Sequence, residues 1–204
     1  NEKKVNHLLE LGKSSVIGNV KLFEGDLFKK GSYDKAFINC SAVIHAGATV
    51  GFNRETPQEV YDGCFTENEH VVESVIKSDS IKRLVFTSSF AAVAHPRPEG
   101  YVFDEKDWCG DNVEAYKGAW STDNISKNRD IAYAMAKANT EKYIYEVAEK
   151  DGNFEAISIN PLHVIGPLLT ENHNQFFSWQ FFILQLLKGV NFGSYNGQQV
   201  RSDR

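Results

Sequence analysis

Long apolar runs are missing from this chain of 204 residues. Its most apolar stretch, residues 176–187, is interrupted by Ser178, Gln180 and Gln185 and is too short to span a bilayer. The opening run Asn1-Glu2-Lys3-Lys4 has neither the apolar core of a signal peptide nor an initiating Met, so no membrane partner is expected. Cysteine is scarce. Cys40, Cys64 and Cys109 are odd in number, widely spaced and without metal-ligand spacing, so neither a disulfide framework nor a metal site is expected. Reduced thiols in a cytoplasmic protein are expected instead, with Cys40 and Cys64 filling apolar volume. An excess of positive charge is also lacking: a net charge of -5 gives no general attraction to nucleic acid or to an anionic membrane. Internal repeats, low-complexity segments and obvious linkers are absent as well. What is present, 42% hydrophobic and 24% charged residues, suits a globular chain long enough for one sizeable core.

Apolar periodicity alternates between helix and strand, which argues for βαβ units and a parallel sheet. Helices are expected over residues 5–11, 32–39, 58–78 and 129–150, with Val71, Val72, Val75 and Ile76 forming the apolar stripe of the third. Strands are expected over residues 20–23, 42–46, 83–87 and 156–159. Residues 94–128 break this rhythm with a long polar stretch opened by His95-Pro96-Arg97-Pro98-Glu99-Gly100 and containing Trp108 and Trp120. A structureless connection of that length reads either as a functional lid or as a surface insertion. The aromatic group Phe176, Phe177, Trp179, Phe181 and Phe182 reads as packing against protein or as the lining of an apolar entrance.

The chemistry-bearing residues sit at the ends of these elements. Tyr133 and Lys137 are four apart on a helix and share one face. An ammonium beside a phenol favours the phenolate, which would suit Tyr133 to general acid catalysis on a carbonyl. As a two-residue pattern it equally describes a surface neighbour pair. The run Arg83-Leu84-Val85-Phe86-Thr87-Ser88-Ser89 ends an apolar strand in hydroxyls, and in open α/β sheets ligands bind at the carboxyl ends of strands.

Five landmarks in order give the chain a resemblance to a known family: Gly25-Asp26-Leu27; Ala42-Val43-Ile44-His45-Ala46-Gly47-Ala48; Phe86-Thr87-Ser88-Ser89; Tyr133-x-x-x-Lys137; and Asn160-Pro161-Leu162-His163-Val164-Ile165-Gly166-Pro167. Together they resemble the extended short-chain dehydrogenase/reductases, around dihydroflavonol reductases, cinnamoyl-CoA reductases and 3β-hydroxysteroid dehydrogenases. The resemblance implies a Rossmann-type α/β fold with a doubly wound parallel sheet. It divides the chain into an incomplete NAD(P)-binding domain over residues 1–160 and the start of a substrate-binding region over 161–204.

By that resemblance Tyr133 would exchange a proton with the carbonyl oxygen, Lys137 would assist it and bind the nicotinamide ribose, and Ser89 would bind the same oxygen, with Ser88 as the alternative in register. Asp26 would accept from the adenine amino group while Leu27 packs on the ring; the competing reading is an Asp that caps a turn. His45, Ala46 and Gly47 would form the strand end beneath the adenosine and phosphates, with His45 a fixed imidazole rather than a proton shuttle. Thr87 and Ser88 would line the cofactor, and Pro161 and Val164 would flank the carboxamide. The cofactor would be NADP or NAD, the residues that choose between them not being readable. A small-molecule substrate and a homodimer through the helices beginning near Gln58 and Arg129 are further expectations.

Two family features depart from the pattern. No Gly-x-x-Gly-x-x-Gly turn is present to bring backbone N–H groups to a pyrophosphate, and a truncated reading frame is the expected explanation. The relay Asn of the family aligns with Thr66, Asn68 standing two residues later. The expected activity is hydride transfer reducing a carbonyl or oxidising a secondary alcohol on a fairly apolar molecule. The alternatives are a nucleotide-sugar epimerase or dehydratase and a non-catalytic dinucleotide-sensing scaffold.

Overall fold

Parallel pairing of three short strands sets the architecture. The computed structural model describes residues 2–14, 18–48, 56–95, 97–111, 122–164, 166–167 and 179–189. Strands β1 (Ala42–His45), β2 (Arg83–Thr87) and β3 (Glu155–Ile159) form a parallel sheet in the order β1-β2-β3, a Rossmann-type arrangement. Ala42 pairs with Arg83 and Arg83 with Glu155, so all three strands run their carboxyl ends to one edge.

Two long helices make the crossovers that parallel strands require. The first two helices of the chain are α1 (Glu2–Ser14) and the short α2 (Asp34–Phe37); the crossovers are α3 (Pro57–Ile76), between β1 and β2, and α4 (Arg129–Asp151), between β2 and β3. Helix α3 opens on a capping box in which Thr56 Oγ1 accepts from Glu59 N–H and Glu59 Oε2 accepts from Thr56 N–H at 2.9 Å, with Pro57 in the first turn. Asn128 caps α4 by accepting from Asp130 N–H at 2.7 Å. Gly152 ends it in the left-handed region at φ 71°.

Alternation along the strands directs Val43, Leu84 and Phe86 to one face, where they meet Val72 and Val75 of α3 and Ile144 and Ala148 of α4. A second cluster joins Val60 of α3 to Ala132, Ala134, Met135 and Ala138 of α4 and to Ala92, Cys109 and Ile125. On the opposite face of the sheet Ile44 is 77% exposed and Ile157 40%. Cys64 and Cys109 are buried and Cys40 is half-buried, all three as free thiols.

The chain divides into two compact units, Phe23–Leu162, which holds the sheet, and Asn1–Leu22 with His163–Arg204. The second unit contains α1 and α5 (Trp179–Leu187). Phe176 and Phe177 of the aromatic group lie outside the described residues. No helix among the described residues is long and apolar enough to cross a membrane.

Three expectations are corrected. Residues 20–23 form no strand: no described strand pairs with them, and β-favouring residues without a hydrogen-bonded neighbour do not hold an extended ladder, so Val20, Leu22 and Phe23 stand exposed. Ile76 does not join the buried stripe of α3, because it falls in the last turn and points outward. The stretch after Ala94 is not structureless where described. Arg97 pairs with Asp107 at 3.2 Å, Tyr101 Oη donates to Asp107 Oδ1, and Phe103 packs edge-on to Phe90, His95 and Tyr101. A 3-10 helix follows over Thr122–Lys127, whereas Trp120 lies outside the described residues.

Phe86, 1% exposed at the centre of the first cluster, carries the fold prediction. Phe86→Ala is expected to destabilise the chain by about 3–5 kcal/mol in urea denaturation, because a rigid helix–sheet interface cannot close the cavity.

Candidate active site

The carboxyl edge of the sheet gathers most of the expected site residues. His45 ends β1 and leads into Ala46 and Gly47, Thr87 ends β2 and leads into Ser88 and Ser89, and Ile159 ends β3 and leads into Asn160 and Pro161. Two further rungs extend the pairing beyond the strands: Ser88 N–H donates to the Ile159 carbonyl at 2.8 Å and Phe90 N–H to the Pro161 carbonyl at 3.0 Å. They hold the two serines beside the end of β3.

The sequence alternative between Ser88 and Ser89 has a geometric difference. Ser88 is 6% exposed, its hydroxyl turned toward the Glu141 carboxyl without full hydrogen-bond geometry. Ser89 is only half-buried and caps the 3-10 turn Phe90–Ala92 by accepting from Ala91 N–H at 3.2 Å. That bond uses a lone pair and leaves the Ser89 O–H free to donate. Its backbone carbonyl accepts from Asn160 Nδ2 at 3.1 Å.

Helix α4 brings Tyr133 and Lys137 to the same place. Tyr133 is half-buried against the second cluster, which also contains Ala91 and Ala92 immediately after Ser89. Lys137 is 3% exposed, with Nζ 5.8 Å from the centre of the Tyr133 ring. Its one hydrogen bond among the described residues is a long one, 3.4 Å to the Thr87 carbonyl, so an ammonium with three donors retains hydrogen-bonding capacity.

The buried charge shapes its surroundings. Burial, reinforced by the Lys137 ammonium and opposed by the neighbouring Asn68 side chain, pushes the His45 imidazole down to about 4. His45 is therefore neutral near pH 7, and its Nε2 is buried with no hydrogen-bond partner among the described residues. Asn68 is buried and donates to the Cys64 carbonyl at 2.7 Å, whereas Thr66 is half-buried. Of the two relay candidates, Asn68 is the one placed against His45.

Asp26 does what its competing reading describes. Its Oδ1 accepts from Phe28 N–H at 2.9 Å and its own N–H donates to Ser32 Oγ at 2.7 Å, a side-chain-capped turn. A Cβ at Gly25 would stand 2.7 Å from the Tyr33 ring, so glycine is required for this turn to pack. The Leu27 carbonyl accepts from His70 Nδ1 at 2.9 Å, which fixes that ring nitrogen as the protonated one. Leu27 lies beside Gly47, where an added Cβ would meet its Cδ1 at an ordinary 3.5 Å. Among the described residues nothing stands closer than that to a side chain at Gly47. Val164 falls in the other compact unit, 64% exposed.

Glu141, Asn160 and Tyr145 were not anticipated as parts of this site. The signal available for Glu141 was its place four residues after Lys137, on the same helix face. Asn160 stood in a landmark without a role assigned to its side chain.

Residues 2–202 match the NAD dependent epimerase/dehydratase family. The chain is 33% identical over 171 residues to dihydroflavonol 4-reductase of Gerbera hybrida, covering 82% of this chain and 43% of that protein. It is 32% identical over 172 residues to a cinnamoyl-CoA reductase of Medicago truncatula, covering 82% and 48%. The chain thus spans about half the length of the curated relatives it matches. Among solved structures, yeast methylglyoxal/isovaleraldehyde reductase complexed with NADPH superposes with a TM-score of 0.66 at 22% identity, over 86% of this chain and 52% of that one. UDP-glucose 4-epimerase of Thermus thermophilus complexed with NAD gives 0.60 at 22% identity, over 86% and 51%. At these identities the structures speak for the fold.

The His45 shift has a pH consequence. A folded value of about 4 lies below the ordinary 6.5, so the unfolded chain binds this proton more tightly. The His45 contribution to stability is complete above the unfolded value and is lost as pH falls toward the folded one. Urea denaturation at pH 7.5 and pH 5 is expected to show His45→Gln losing about 2 kcal/mol less than the natural chain over that interval.

Proposed function

This chain belongs to the NAD dependent epimerase/dehydratase family, and from that premise we propose that it forms part of an NAD(P)-dependent oxidoreductase that reduces a carbonyl, or oxidises a secondary alcohol, on a fairly apolar small molecule. The observation that carries the reading is the buried Lys137 ammonium, set between the Tyr133 ring and the β2 end that delivers Ser89. Burying a cation at a surface-neighbour pair would be costly and purposeless. At a reaction centre it stabilises developing negative charge on a phenol and offers donors to ribose hydroxyls.

The dinucleotide supplies or accepts hydride when bound. Every other task falls to side chains of this chain. Tyr133 Oη gives its proton to the carbonyl oxygen as charge develops there, and takes it back in the reverse direction. Ser89 donates its free hydroxyl hydrogen to the same oxygen. Lys137 holds the nicotinamide ribose. Leu27 packs on the adenine, to which Asp26 offers the carboxylate oxygen that its bond from Phe28 N–H leaves over, and Thr87, Ser88 and Pro161 are assigned to the nicotinamide end. His45, Ala46 and Gly47 lie under the adenosine and phosphates. Gly47 suits that assignment because a residue without a side chain lets a ligand approach the backbone closely.

The reductase reading is preferred over the epimerase or dehydratase reading because the curated relatives reported above are reductases by name. A non-catalytic scaffold would have no use for the Tyr133, Lys137 and Ser89 arrangement.

Tyr133→Phe in the complete natural protein tests the proposal, using NADPH and NADH with a panel of aromatic ketones and aldehydes. Turnover is expected to fall by about a hundredfold or more while dinucleotide binding persists. Undiminished turnover, or a natural protein that binds neither dinucleotide, would sink it.

A further inference from the structure

Behind the proposed reacting groups lies a buried acid to which no role has been assigned. Glu141 is 4% exposed on α4, one turn beyond Lys137. Its Oε1 accepts from Asn160 Nδ2, and that same amide donates to the Ser89 carbonyl at 3.1 Å. Asn160 therefore sits between the two backbone rungs that prolong β2 and β3, Ser88 to Ile159 and Phe90 to Pro161. Its side chain is the link from helix to serine.

Two hydroxyls lie near the acid without full hydrogen-bond geometry, those of Ser88 and Ser158. Tyr145 Oη donates to Ser158 Oγ at 2.8 Å while accepting from Ser158 N–H at 3.0 Å, which leaves the Ser158 hydroxyl hydrogen available on the side of Glu141. The Ser88 hydroxyl also turns toward it, and the Lys137 charge acts on it from one turn away. A carboxylate accepts at both oxygens and donates at neither, whereas a glutamine would set an NH2 among groups that are themselves donors. Burial raises the Glu141 carboxyl above the ordinary range, against these hydrogen bonds and the Lys137 charge.

We infer that Glu141 is a positioning residue: through Asn160 it holds the Ser89 backbone, and with it the Ser89 hydroxyl, against the helix face that carries Lys137. This rests on the reading of Ser89, Tyr133 and Lys137 given above. Glu141 touches neither substrate nor cofactor in that reading. It acts from behind, tying the ends of β2 and β3 to α4 so that the serine and the ammonium keep a fixed separation.

Glu141→Gln and Asn160→Ala, each in the complete natural protein, test this by amide hydrogen exchange and by the NADPH assay described above. Exchange at Ser88 and Phe90 is expected to quicken about tenfold in both variants, with Leu84 and Ile144 unchanged. In the same variants kcat should fall by about tenfold at constant KM for the dinucleotide, since the lost contact orients the group that meets the reacting oxygen. Quickening spread evenly through the sheet and helices would make Glu141 a packing residue and overturn the inference, as would an unchanged kcat. A natural protein with no Tyr133-dependent turnover would overturn the functional reading and this assignment with it, an outcome the wild-type assay distinguishes by itself.

Discussion

Burying the ammonium of Lys137 is the constraint to which the rest of the site answers. A cation taken out of water must be met by polar groups, and among the described residues these include the Thr87 carbonyl and, one turn along the helix, the Glu141 carboxyl. The same charge helps to keep His45 neutral, and it opposes the rise that burial imposes on the Cys64 thiol. One side chain thus orders the electrostatics of three elements, β1, α3 and α4.

Why the ammonium lies there follows from helix and sheet geometry. Ala132, Ala136 and Ala138 on α4 are almost wholly buried, and their small side chains let the helix approach closely enough for Lys137 to reach the end of β2. Parallel strands connected by α3 and α4 bring His45, Thr87 and Ile159 to a common edge. The first apolar cluster fixes the sheet against both helices, and the second fixes the segment after Ser89 against Tyr133. Chemistry-bearing residues occupy the boundary between those clusters, where rigid elements end and loops begin.

How much of this was legible varied by residue. β2 coincides with the expected strand, and α3 and α4 lie within a residue or two of theirs, because capping residues and apolar periodicity are local signals. Residues 20–23 carry an equally good strand composition and form none, since a strand depends on a neighbour that composition does not report. Asp26 has a family landmark and a turn-capping geometry at once, and its hydrogen bonds to Phe28 and Ser32 belong to the turn. The fold around Asp107 is not legible in the sequence because an ion pair and an aromatic cluster in a polar stretch have no period.

Sequence alone determined the alternation of strands and helices, the Tyr133–Lys137 face and the hydroxyls at the end of β2, since each depends on residues within a few positions of one another. Only the tertiary structure decided which serine stands half-open, that His45 is neutral, and that Glu141 reaches Ser89 through Asn160. Burial and donor–acceptor matching join residues far apart in the chain, Ser89 and Asn160 among them, and no local spacing encodes which distant group will complete a hydrogen bond.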